Sequence, residues 1–180
     1  MKKHLLAVVL SFAGILAASG AENAASNLIQ NPDFSKTYGT PAKASYWGVN
    51  FTQKGSGTFT PGAEGGVLDL SDASRHAALL QELDLPARSE AATLELKFEY
   101  RGTVKSIAGT LHALDAEGKE LKVKGRNAKG TPAEAEWQQG SAVLTIPAET
   151  RKLRLALRAY GPGKIAFRQV SLTEKAPEKQ

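Results

Sequence analysis

Alternation with a period of two constrains this chain more than any other feature it has. From Thr93 to Arg101, Leu94, Leu96, Phe98 and Tyr100 fall on one side and Glu95, Lys97, Glu99 and Arg101 on the other. From Lys152 to Tyr160, Leu153, Leu155 and Leu157 alternate with Arg154, Ala156 and Arg158. Successive strand side chains point to opposite faces, so each stretch predicts a strand with one dry and one wet side. Between residues 27 and 173 the recurring pattern is of this kind, punctuated by Gly, Pro and Ser, with no sustained helical period.

The same reading predicts strands over Tyr46–Gln53, Gly57–Thr60, Gly66–Leu70, Ala77–Leu85, Ile107–Leu114, Leu121–Val123, Trp137–Ile146 and Lys164–Leu172. Asn27–Ser35 is read as an opening strand. Asp115-Ala116-Glu117-Gly118-Lys119 reads as a turn whose Gly takes a positive φ, and the polar stretch Arg126–Pro132 as a mobile loop. About nine strands without a helix predict an all-β, two-sheet antiparallel jelly-roll sandwich in one domain, with no solenoid repeat.

Lys2, Lys3 and His4, an apolar run over Leu5–Ala18 and Ser19-Gly20-Ala21 have the layout of a cleavable secretory signal over residues 1–21. The run is too short to span a membrane, and no later segment approaches the ~18 apolar residues that a span needs. The expectation is therefore a secreted or periplasmic product without membrane insertion, consisting of a short lead (22–26), the domain (27–173) and a charged, frayed tail (174–180). There is no Cys, so export brings no disulfides and stability must come from a packed core. Loss of Lys2 and Lys3 lowers the formal charge from +5 to +3, too little and too dispersed to point to nucleic acid.

The order of several local patterns resembles the galactose-binding-like jelly rolls, and within them the cellulase-associated carbohydrate-binding modules of families four and nine. The patterns are Asn27-Leu28-Ile29-Gln30-Asn31-Pro32-Asp33-Phe34-Ser35, Pro41 with Trp47, Leu79-Leu80-Gln81, Leu94–Tyr100, Asp115–Lys119, Trp137-Gln138 and Gly163–Leu172. The resemblance implies that the first and last strands lie side by side and that Trp47 and Trp137 pack under loops. It also implies a noncovalent glycan or polysaccharide ligand. Members of this family hold a structural calcium where those end strands meet. The corresponding positions here are Ser35, Arg168 and Gln169, so the carboxylates calcium favours are missing and a calcium is disfavoured; no other cofactor is expected. Arg168 is read either as a guanidinium replacing the metal, paired with Asp33 or nearby carbonyls, or as an edge-strand side chain in solvent.

Tyr160, Arg158, Arg154 and Arg101 are candidate ligand-binding residues. They share one surface with Glu95, Lys97 and Glu99 if the two alternating strands lie in one sheet. Such a surface is charged and poor in rings, suiting an anionic sugar or a protein, or it is a solvated face. Tyr38 and Tyr46 sit in a Gly/Pro-containing loop suited to a binding rim. Alternative readings are a secreted or envelope interaction protein, and a glycoside hydrolase accessory or weak hydrolase. Glu95 and Glu99 would lie roughly 13 Å apart on a strand, beyond the ~5–9.5 Å of a glycosidase pair. Glu134 and Glu136 meet the distance, at ~6.6 Å if extended, but have no evident pocket. His76 and His112 show neither metal-ligand spacing nor a partnered nucleophile.

Overall fold

The computed structural model describes residues 26–71 and 76–176. The expected signal segment and the end of the tail lie outside the described residues. No helix among the described residues is long and apolar enough to cross a membrane.

Two antiparallel sheets pack face to face. The back sheet has the order β10 (Lys124–Gly125), β12 (Gln138–Ile146), β7 (Ala92–Gly102), β14 (Gly163–Glu174), β5 (Gly65–Leu70) and β4 (Gly57–Gly62). The front sheet has the order β11 (Ala128–Gly130), β8 (Ser106–Leu114), β13 (Lys152–Tyr160), β6 (His76–Asp84) and β3 (Gly48–Phe51), with β9 (Glu120–Leu121) pairing beyond β11 along β8. A hairpin of β1 (Thr37–Tyr38) and β2 (Lys43–Ala44) stands apart from both.

The core forms because the dry sides of the two most regular strands look at each other. Leu94, Leu96, Phe98 and Tyr100 from β7 meet the layer built on Leu153, Leu155 and Leu157 from β13, and all seven are buried. Phe98 stands at the centre, its ring centroid 6.0 Å from that of Phe167 and 5.9 Å from that of Tyr100. A second cluster closes one end. Phe34, fully buried, lies 4.7 Å from Trp47 between ring centroids, and the Trp47 indole N–H donates to the Asn31 carbonyl at 2.9 Å. This is the loop-packing role the resemblance implied for Trp47.

The opening segment differs from expectation. Residues 27–35 run beside the last strand, but as irregular backbone fastened by specific bonds. The Asn27 side chain receives Leu172 N–H and donates to the Val170 carbonyl, Leu28 N–H donates to Leu172, and Val170 N–H donates to Pro32. A regular ladder is impossible because Asn31 and Phe34 take positive φ and β14 bulges between Arg168 and Ser171, with Gln169 also at positive φ. The buried Gln81 side chain clamps the segment from the other sheet, accepting from Gln30 N–H and donating to the Gln30 carbonyl, both at 2.8 Å.

Two further expectations are corrected. The stretch 126–132 contains β11, which is paired with β8 through Ala128↔Gly109 to Gly130↔Ile107. The chain from 120 to 130 joins the front sheet as β9, crosses to the back sheet as β10 and returns as β11, because Leu121, Val123 and Ala128 tuck against the core. At the other end β14 runs through Glu174, and Lys175 N–H donates to the Thr93 carbonyl, so the frayed tail does not start at 174. The Asp115–Lys119 turn is as expected, with Gly118 at φ 81° and Lys119 N–H donating to the Asp115 carboxylate.

Candidate functional site

The two wet strand faces do not form one surface. β7 sits in the back sheet and β13 in the front sheet, so Arg101 is separated by the whole core from Arg154, Arg158 and Tyr160. Strands whose dry sides are equally apolar bury more surface facing each other across the core than lying edge to edge.

On the back face every charge of the β7 row has a partner. Lys97 meets Glu95 at 2.9 Å, Arg101 meets Glu64 at 2.8 Å, and Arg168 Nε donates to Glu99 at 2.6 Å. The guanidinium carbons of Arg168 and Arg101 lie 3.8 Å and 4.7 Å from the Trp137 ring centroid. Trp137 is thus a half-buried platform for two cations on the outside of the sheet. Arg168 neither pairs with Asp33 nor lies on an edge strand, since β14 runs between β7 and β5. Glu99 faces it directly across the ladder and captures it.

Asp33 accepts from both the backbone N–H and the hydroxyl of Ser35, and these bonds hold its carboxyl below the usual carboxylate range. The position at which the family holds calcium therefore offers one occupied carboxylate beside Ser35 and Gln169. That donor set does not fit a cation preferring six to eight oxygens. Among the described residues, no three His, Cys, Asp or Glu side chains cluster as a metal would require.

The front face has a different character. Register places Asn50, Ala78, Arg158, Ala108 and Lys129 in one row across five strands, and Gly48, Leu80, Ala156 and Thr110 in the next. Tyr160 lies between His76 and Ser106 in the row on one side; Arg154 lies between Glu82 and His112 in the row on the other. Within these two rows Ala78, Ala108 and Ala156 are buried although they point outward, with Leu80, Arg158 and Lys129 standing among them. The small side chains beside the long Tyr160, Arg158 and His112 leave a depression over β8, β13 and the crossing segment.

Two hollows open along it. One of about 510 Å³ is lined by Ser106, Ala108, Lys129, Thr131 and Tyr160. The other, of about 750 Å³, lies over Thr110, His112, Arg158 and Tyr160, with Lys122 and Asn127 from the crossing segment as its wall. Tyr160 borders both, and its ring centroid is 5.9 Å from that of His76. Arg154 bonds Glu82 at 2.7 Å and His112 bonds Glu120 at 2.6 Å.

Tyr38 and Tyr46 are 58% and 62% exposed, on the hairpin and connection preceding β3, at the sheet edge opposite β11. The structure thus brings Tyr160, Arg158 and Arg154 together, places the two tyrosines toward the far edge, and leaves Arg101 on the reverse side. Sequence reasoning missed Lys129, Lys122, Asn127 and the outward alanines. The one signal available was that Ala78, Ala108 and Ala156 stand where an exposed strand face ordinarily carries polar groups.

Among the described residues, no carboxylate pair presents itself for hydrolysis. Glu95 and Glu99 are each held by a cation, and Glu134 and Glu136 are exposed ahead of Trp137, outside both hollows.

No protein-family model matches this sequence, and no curated protein matches it. Solved structures do. The enzymatically active domain of tailspike protein 4 of bacteriophage CBA120 superposes with a TM-score of 0.64 at 17% identity, over 83% of this chain but 21% of that one. The chain thus spans about a fifth of the tailspike's length. The family 61 carbohydrate-binding module TmCBM61, solved with β-1,4-galactotriose, gives 0.55 at 18% identity over 83% of this chain and 99% of its own. A family 4 carbohydrate-binding module gives 0.57 at 14% identity over 82% and 99%. At these identities the likeness is one of fold: the chain is an all-β jelly-roll sandwich of the kind carbohydrate-binding modules have.

Proposed function

We propose that this chain is exported and binds a glycan or polysaccharide noncovalently on the outer face of its front sheet, without catalysing a reaction. The observation that carries the reading is the depression over β8 and β13, where Ala108 and Thr110 lie beside Arg158, Tyr160 and His112. Its two hollows, both bordered by Tyr160, run from β13 across β8 to the crossing segment. That suits an extended chain of sugar rings better than a compact small molecule.

The chemistry at its borders fits. A sugar offers an apolar ring face and a polar hydroxyl edge, so a binding surface needs a flat ring beside hydroxyl and amide groups. Tyr160 supplies the ring, and Ser106, Thr110, Thr131 and Asn127 supply the polar groups. Neighbouring modules of this fold span almost their whole length with it, and one of them holds a galactotriose. The apolar run of Leu5–Ala18 behind Lys2 and Lys3 supports export. The engagement of Glu82 and Glu120 by Arg154 and His112 at the borders of the depression supports a non-catalytic role.

Affinity electrophoresis of the exported chain through gels containing single polysaccharides tests the reading. Retardation by at least one polymer, abolished by Tyr160→Ala and retained by Arg101→Gln on the reverse face, is the expected result. Retardation lost with Arg101→Gln and kept with Tyr160→Ala would move the site to the back sheet. A stable complex with an envelope protein and no retardation by any glycan would favour the interaction-protein alternative.

A further inference from the structure

Charge pairing separates the two faces. Among the seven described arginines, Arg88, Arg101, Arg154 and Arg168 bond carboxylates and Arg151 bonds the Ala148 and Thr150 carbonyls. Arg126 is exposed. Arg158 alone is half-buried with no hydrogen bond, ion pair or ring contact among the described residues. Its lateral neighbours are Ala78 and Ala108, which offer neither an acceptor nor bulk.

The charges around it do not compensate. Among the described residues, the acids of this face and its wall, Glu82, Glu120 and Asp84, are engaged by Arg154, His112 and Lys152. Lys129, in the same row, and Lys122, lining the same hollow, also have no partner among the described residues. Three unpaired cations therefore converge on the depression.

Resting on the reading of this face as a glycan site, we propose that its ligand is an acidic polysaccharide, whose carboxylate or sulfate Arg158 receives, with Lys122 and Lys129 meeting further anions along the chain. A partly desolvated guanidinium without an acceptor is where an anion with two adjacent oxygens gains most, because it supplies the paired acceptors the fork is shaped for. Tyr160 lies one strand repeat, about 6.8 Å, along the same face. A pyranose stacked on that ring can direct an exocyclic acid at the guanidinium. A neutral glycan would leave Arg158 without a partner for its charge.

The test titrates the full exported chain with four polymers: polygalacturonate, its methyl ester, dextran sulfate and neutral β-1,4-galactan. Expected is binding of polygalacturonate or dextran sulfate, the one preferred naming uronate or sulfate as the anion, with affinity falling as NaCl rises. Arg158→Gln should weaken it at least about tenfold, the loss of one charge-assisted bond. Arg158→Lys should retain part of the affinity, and Lys164→Gln, removing the same charge from the back sheet, should leave it unchanged. Equal weakening by Arg158→Gln and Lys164→Gln would reduce the effect to net charge and overturn the assignment. Galactan or the methyl ester bound as tightly as the acidic polymers would overturn it while sparing the glycan reading. Failure of all four polymers, with the chain folded by circular dichroism, would count against both.

Discussion

Gly140→Ala tests the core geometry on which the front face rests. Gly140 in β12 lies opposite Phe98 in β7, and a Cβ there would stand 2.5 Å from Cζ and 2.6 Å from Cε2 of that ring. Carbon atoms settle at about 3.5–4.0 Å, so the ring must retreat by about 1 Å. It has nowhere to go. On the opposite side Gly109 of β8 is equally close, a Cβ there falling 2.6 Å from Cε1, and Phe167 and Tyr100 hold the remaining flanks.

With the ring held on every flank, overpacking takes the upper part of its usual range, about 2–3 kcal/mol, against a gain of up to about 1 kcal/mol from replacing a strand Gly, so Gly140→Ala should lose about 1–2 kcal/mol. For a domain of this size that is a fall in Tm of about 2–8 °C. Phe98→Leu alone costs about 1–2 kcal/mol for the lost ring volume, but it clears the space that a methyl group on residue 140 needs. The double variant should therefore fall short of the sum of the singles by about 1 kcal/mol. Urea unfolding followed by the fluorescence of buried Trp47 measures all three. A neutral or stabilised Gly140→Ala, or strict additivity with Phe98→Leu, would refute the claim that two glycines wedge this ring between the sheets.

Three other perturbations have defined outcomes. Gln81→Leu removes both bonds to the Gln30 backbone and should cost about 1–3 kcal/mol, with amide exchange accelerated in 27–35 before the rest of the domain. Arg168→Met leaves Glu99 without its cation and removes the nearer of the two guanidinium groups over Trp137, so near-ultraviolet circular dichroism should change, and added calcium should raise the Tm of neither protein. Asp33, whose pKa is lowered on folding, contributes stability above the pKa of the unfolded chain and loses it as pH falls through the folded value. Asp33→Asn should therefore be less stable than the parent at neutral pH, with the difference closing in acid.

The fold was legible because the core is written locally. Leu94, Leu96, Phe98 and Tyr100 declare a dry side without reference to any other part of the chain, as do Leu153, Leu155 and Leu157. Gly118 marks its turn in the same local way. What was not legible depended on distant partners. Arg168 finds Glu99 only because β14 is inserted next to β7, and the bulge at Gln169 is needed for Pro32 to approach Val170. Ala128 and Gly130 carry no strand pattern of their own and become β11 because β8 offers a free edge there. Asn27 uses its side chain where a strand would use its backbone, so a segment of correct placement has the wrong secondary structure.

The site divides along the same line. Alternation says which side of a strand is wet and is silent about which sheet that side belongs to, so Arg101 and Arg158 look equivalent in sequence and stand on opposite sides of the molecule. What distinguishes them is the neighbours that register supplies. Arg101 has Glu64 and Trp137 within reach, whereas Arg158 stands between two alanines, with acids already engaged elsewhere. A solvated sheet face gains nothing from placing alanines beside an unpaired guanidinium, since long polar side chains would cover the backbone and partner the charge. On the proposed reading, the alanines beside Arg158 leave a polymer room and the unpaired cation leaves it something to bind.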